Sequence, residues 1–296
     1  MKTTGRTCPD ASIAVVADSS ACLPAALQEE LGITIVPLAF LVDGELYHDG
    51  DLAPEEFRAR LEAARGPVTT TVPAPGEFLE TFRRLNEGGA REVLCLTLSS
   101  HYSGTHSAAL NAAGLASKEL PGLRVQVVDT GGLAMTHGFA VLAAARAARS
   151  GATLEAAASV AAAVGARAHL IGAMDTLRFL VKSGRVPWIA HWAASLLGIK
   201  PVLAAVDGRV RSHGRPRTMR NALTRMVRYL DERAGPPEGL HVAVMHFGAR
   251  DQAEELARRV AERARPAELL VTEFTTVMSV HTGPGFVGLA FYSDTP

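Results

Sequence analysis

The sequence predicts an α/β protein of two domains: an N-terminal parallel sheet with helices on both faces, then a C-terminal α+β domain. Three observations carry this. Short apolar runs of strand length alternate with helical patterns through about residue 165, as crossover-connected parallel strands do. Beyond residue 165 the texture changes, and a hairpin across Asp207-Gly208 gives this half an α+β reading. Finally, 296 residues, 48% of them hydrophobic, exceed one ordinary domain and suffice for sizeable cores. The expected division is residues 1–165 and 166–296.

Ile13-Ala14-Val15-Val16-Ala17 is a buried parallel-type strand. Asp18 and Ser19 follow as capping residues before a helix over Ala25 to Leu31. Asp18 also lies at a strand's carboxyl end, where open α/β sheets keep ligands. Ile33 to Leu38 is a second strand, and Phe40 to Tyr47 a hairpin around Asp43-Gly44. Pro54 opens a helix. Thr69-Thr70-Thr71 reads as a β-branched strand end before Pro73 and a helix over Glu77 to Leu85.

Leu94 to Leu98 is an apolar strand that breaks into Ser99-Ser100-His101-Tyr102-Ser103, turns at Gly104 and enters an Ala-rich helix. Val125 to Asp129 is a strand; helices follow over 139–149, led in by His137, and over 153–165. In the second half His169 to Met174 is a strand, and a basic helix carrying Arg178, Lys182 and Arg185 closes at Gly184. A helix is expected over Trp188 to Leu197, and a hairpin across Asp207-Gly208. Helices over 219–233 and 251–265 alternate with strands over 240–246 and 269–274, and a Gly-rich turn after Val280 leads to a closing strand.

Thirty basic residues cancel thirty acidic ones, so no single-sign field points to nucleic acid or an anionic membrane. Cys8, Cys22 and Cys95 are scattered and without CxxC spacing, which supports neither a disulfide framework nor zinc. No HExxH or HxH pair favours a metal, and no cofactor is expected. The N-terminus has no apolar signal core, and the stretch from Ala156 to Met174 is interrupted by Arg167 and His169. A cytoplasmic protein without a spanning segment is expected. Gly283-x-Gly285-x-x-Gly288 matches a dinucleotide fingerprint in letters alone, because no helix has room to follow it.

The Ser99–Thr105 loop keeps two readings open. A strand that feeds a helix through hydroxyl residues points N–H and O–H groups at one spot, which suits a carboxylate. The same loop also suits a serine nucleophile, Ser100 or Ser103, with His281 as base and Asp129 as its orienter.

Six segments in order resemble the DegV family of bacterial fatty-acid-binding proteins, over nearly the whole chain. Asp18-Ser19-Ser20-Ala21-Cys22-Leu23-Pro24 is similar to the family's DSTxDLP start, and Thr70 to Phe78 to its TSQPSPxEF stretch. Ser99 to Thr105 resembles SSxLSGTY, and Asp129-Thr130 the DS after the next strand. Ile199-Lys200-Pro201-Val202 with Asp207-Gly208 resembles IKPIL…DG, and His281 to Gly285 the terminal HxGPG.

The resemblance implies one long-chain fatty acid buried between two domains. Its carboxylate would be held by Thr70, Thr71, Ser100 and Ser103, with close backbone approach at Gly104, and with His281 and Asp18 nearby. It implies a non-catalytic carrier, similar to the acyl-carrying subunit of bacterial fatty acid kinase. Such a carrier presents the carboxylate to an ATP-using catalytic subunit and serves phospholipid synthesis. Arg178, Lys182 and Arg185 are the expected docking residues. The competing function is a serine-dependent acyl ester hydrolase using Ser103 and His281. The chain departs from the family pattern at Val72, Ala74 and Tyr102, and at His137, where the family often has a Gly- or Ser-rich turn. The first two remove polar contacts near the head group, and Tyr102 is expected to shorten the tunnel.

Overall fold

The computed structural model describes residues 13–189, 198–206 and 209–294. Its first half alternates as the sequence pattern predicts. Strands β1 (Ile13–Asp18), β2 (Ile33–Val36), β6 (Glu92–Thr97) and β7 (Arg124–Asp129) form a sheet of order β2-β1-β6-β7, parallel throughout. Helices α1 (Ala25–Leu31), α3 (Pro75–Glu87), α4 (Thr105–Glu119), α5 (Met135–Arg149) and α6 (Leu154–Arg167) accompany it.

Strand alternation decides which helix goes where. Val16, Val93 and Cys95 point to α3 and α4, whereas Val15, Ala17, Leu94 and Leu96 point to α5 and α6. Cys95 is plain core, and burial pushes its thiol pKa up. An antiparallel excursion of order β4-β3-β5 joins β3 (Ala39–Val42), β4 (Glu45–His48) and β5 (Thr69–Thr71). The hairpin at Asp43-Gly44 and the threonine strand are both present. Helix α2 (Pro54–Ala63) lies between β4 and β5 in the chain and starts at its proline, as expected.

The second half is a six-stranded mixed sheet of order β10-β9-β8-β13-β11-β12. Its strands are β8 (His169–Ala173), β9 (Val202–Val206), β10 (Arg209–Gly214), β11 (Leu240–Phe247), β12 (Glu268–Glu273) and β13 (Phe286–Ser293). Only β11 and β12 pair in parallel, across α9 (Arg250–Ala264); the other neighbours are antiparallel. Val242 and Val244 face α9 and α8 (Met219–Asp231), while Ala243 and Met245 face the core that holds α5 and α6. The α5/α6 layer therefore has a sheet on each side, and one continuous core spans both halves.

Three local expectations change. Helix α5 starts at Met135, so His137 lies inside its first turn, fully buried, and does not merely lead into it. The basic helix is short, α7 (Arg178–Ser183), and ends as predicted at Gly184 in the left-handed region. The segment after Phe274, read as a turn from Val280 onward, contains helix α10 (Thr276–Thr282), which carries His281. Seven residues rich in threonine and valine have weak helix propensity; tertiary contacts hold α10 in place. The helix expected over Trp188 to Leu197 lies largely outside the described residues; 187–189 form a 3₁₀ turn. The β9–β10 hairpin is present, and its Asp207-Gly208 turn lies outside the described residues.

Candidate functional site

The carboxyl ends of the first sheet's strands open onto one face of the second sheet, and a cavity of about 150 Å³ lies there. That far exceeds the ~10–15 Å³ that admits one water, so the space suits a ligand. Its walls are mostly apolar. Leu38 follows β2, Leu98 follows β6, Leu170 and Met174 lie on and after β8, and Leu203 on β9, with Val277 from α10. Polar groups enter at few points, namely Thr70, Thr71, Tyr102, Ser103, His281, Thr282 and Arg185.

Of the residues singled out in sequence, Thr70, Thr71, Ser103 and His281 all line this cavity. They come from β5, the loop before α4, and α10, some 210 positions apart at the extremes. Thr70 Oγ1 and His281 Nε2 are 3.4 Å apart. Ser103 Oγ is 2.8 Å from Thr105 Oγ1 and accepts the Thr105 N–H at 3.3 Å. The β5 end lies directly against the Ser103 loop. A side chain at Gly104 would meet Val72 Cγ2 at 3.3 Å, so glycine here lets helix α4 begin close to β5.

His281 is mostly buried. Burial, with the Arg185 guanidinium adding repulsion, pushes its pKa down to about 4. It is a neutral imidazole at pH 7, and its Nδ1 has no hydrogen-bond partner. The turn after it depends on Gly283, whose φ of +70° suits glycine and whose added Cβ would lie 2.0 Å from Phe179 Cδ2. That absence lets α7 pack on α10. Arg178 and Lys182 then sit exposed on α7, with Arg178 stacked on Phe179 at 4.6 Å. Arg185, just past the helix, reaches the cavity.

Asp18 and Ser100 lie elsewhere. Asp18 is wholly buried at the end of β1, accepts the Leu98 and Ser20 N–H groups at 2.8 and 3.1 Å, and binds the Ser20 hydroxyl. Burial raises its pKa, but His137, 3.6 Å away, and these donors outweigh that and hold it below the ordinary range. It ties β1, the loop after β6 and α5 together. Ser100 is exposed, and its N–H donates to Asp129 Oδ2 at 3.1 Å. Asp129 also accepts the Gly131 N–H. Ser103, His281 and Asp129 therefore each have other neighbours and do not form a hydrogen-bonded triad.

Sequence reasoning missed Asp49. It accepts from Ser19 Oγ at 2.5 Å, from Val277 N–H at 2.7 Å and from the Thr276 hydroxyl. This carboxylate from the loop after β4 pins the start of α10. Burial raises its pKa despite these donors. The signal available was weak: an aspartate before a lone glycine in a turn, His48-Asp49-Gly50. Among the described residues no group of three or more His, Cys, Asp or Glu is placed to hold a metal.

The fold and cavity thus define an α/β protein with a largely apolar cavity where two sheets meet. A family profile described as an uncharacterised protein of the DegV family matches residues 12–294, and this chain belongs to that family. It is 38% identical over 282 residues to a DegV domain-containing protein of Streptomyces coelicolor, covering 95% of this chain and 98% of that one. Among solved structures it resembles a DegV-family protein from Thermus thermophilus described as fatty-acid binding, with TM-score 0.86, 31% identity, and 95% and 99% of the two chains covered. It likewise resembles DegV, a fatty-acid-binding protein from Bacillus subtilis, with TM-score 0.83, 26% identity, and 95% and 99% coverage.

Proposed function

We propose that this protein binds one long-chain fatty acid in the cavity, as a tunnel between two domains dividing near residues 165 and 166, and does no chemistry on it. The observation that carries this reading is a largely apolar cavity whose polar lining, among the described residues, is a few hydroxyls, one neutral imidazole and Arg185. Each buried CH₂ favours binding by about 0.8 kcal/mol, and a carboxyl head needs hydrogen-bond partners once it leaves water. Thr70, Thr71 and Ser103 supply hydroxyls, and His281 adds a ring nitrogen. The similar proteins described as fatty-acid binding support the same ligand class.

Ser100, Gly104 and Asp18 act at one remove in this reading: Asp18 holds the Leu98 end of the loop and Gly104 sets its distance from β5. The carrier presents the carboxylate to the catalytic subunit of an ATP-dependent fatty acid kinase, in the cytoplasm and for phospholipid synthesis. Arg178, Lys182 and Arg185 form the docking face, supported by their exposure beside the site.

Native mass spectrometry of purified protein tests the ligand, with a stoichiometric fatty acid expected. Joint Thr70→Ala and Ser103→Ala replacement should lower acyl occupancy severalfold while the melting temperature stays within a few degrees. Unchanged occupancy would reject the head-group site. Turnover of an acyl ester that Ser103→Ala abolishes would establish the hydrolase instead.

A further inference from the structure

A half-buried tyrosine hydroxyl needs a polar partner, and Tyr102 finds one on the second sheet. Among the described residues strand β10 is an edge strand, so alternate residues turn an N–H and a C=O away from β9. Val210 is such a residue. Its N–H donates to the Tyr102 hydroxyl at 2.9 Å, and its C=O accepts from Trp188 Nε1 at 3.1 Å. Tyr102 itself is anchored: its N–H donates to Ser99 O at 3.1 Å, and its ring packs edge-on against His101 at 4.8 Å.

Outside the apolar cavity lies an open cleft of about 690 Å³. Tyr102, Arg185, Val186 and Val210 line both spaces, so these side chains stand at the boundary between them. At that boundary the Tyr102–Val210 bond ties the loop after β6 to the second sheet. Arg185 bonds locally: its guanidinium donates to the Ser183 carbonyl at 2.9 Å.

We propose that Tyr102 is a latch: its hydroxyl holds the wall between cavity and cleft closed, which sets how fast a bound acyl chain leaves and how long a chain fits. This rests on the fatty-acid reading for its ligand, but the latch is a property of the wall itself. A single neutral hydrogen bond corresponds to about a two- to tenfold change in an equilibrium or rate.

The test uses Tyr102→Phe, which keeps the ring, and Tyr102→Leu, which removes it. Stopped-flow release of cis-parinaric acid should be two- to tenfold faster in Tyr102→Phe, and hydrogen exchange at the Val210 amide should accelerate. Tyr102→Leu should release it faster still and shift the preferred chain length upward in a series from C12 to C20. Unchanged release and unchanged Val210 exchange in Tyr102→Phe overturn the latch. An unaltered length preference in Tyr102→Leu overturns its role in selecting chains. If the parent protein takes up no fatty acid, the fatty-acid reading fails, and the latch is decided by Val210 exchange and by entry of anilinonaphthalene sulfonate. Equal dye entry in parent and both variants then overturns it.

Discussion

At the scale of single residues, His281 shows how position sets chemistry. A histidine on the surface titrates near 6.5; this one is pushed down to about 4 by burial and by Arg185. The unfolded chain therefore binds a proton between those values that the folded protein does not. Stability from this group is full above about pH 6.5 and is lost as pH falls toward 4. His281→Gln should flatten the pH dependence of unfolding in that window, read by urea denaturation at half-unit steps. An unaltered slope would place the imidazole in water. Its neutrality also matters for the ligand. A neutral ring beside Thr70 accepts or donates a hydrogen bond without competing as a cation, and this leaves Arg185 as the charged group at the cavity.

At the scale of elements, α10 is the piece on which the site depends. It is seven residues long, too short to hold itself. Asp49 receives Val277 N–H and the Thr276 and Ser19 hydroxyls, and Gly283 lets Phe179 close over its end. Asp49→Ala leaves three donors without their acceptor and should cost about 1–3 kcal/mol. Faster hydrogen exchange at Val277 and weaker fatty-acid retention should accompany that loss. Gly283→Ala meets both positive φ and Phe179; a loss of at least about 2 kcal/mol is expected. Chemical denaturation checks both, and a variant as stable as the parent would mean that α10 is held by other contacts.

At the scale of the whole molecule, the α5/α6 layer joins the two sheets. One polar tie from this layer to the second sheet is Arg146 of α5 with Glu268 of β12, paired at 2.5 and 3.2 Å, with His241 of β11 on the same carboxylate at 2.8 Å. Burial opposes the charge on Glu268, but His241 and Arg146 outweigh it and hold its pKa down to about 2. Its stability is present above about pH 4.5 and is lost as pH falls through about 2. Glu268→Gln should lower the melting temperature at pH 7 by several degrees, and by little at pH 2, in scanning calorimetry. An equal deficit at both values would show that the loss is one of packing.

The strands of the parallel sheet, the Asp43-Gly44 hairpin and the Ser103 loop were legible in the sequence, because apolar runs and turn residues act over a few positions. The hydroxyls of Thr70 and Ser103 and the imidazole of His281 were legible as site residues only through a resemblance spanning the chain. What the sequence by itself determined is local: where strands run, where Gly184 ends α7, and which stretches carry hydroxyls. Tertiary structure alone decided that Thr70 meets His281, that Asp18 serves the loop and not the cavity, that α10 is a helix, and that Tyr102 closes on Val210. The reason is physical. Period and propensity are read within a few residues, whereas burial, a depressed imidazole pKa and a bond between positions 102 and 210 exist only after the two sheets close on one another.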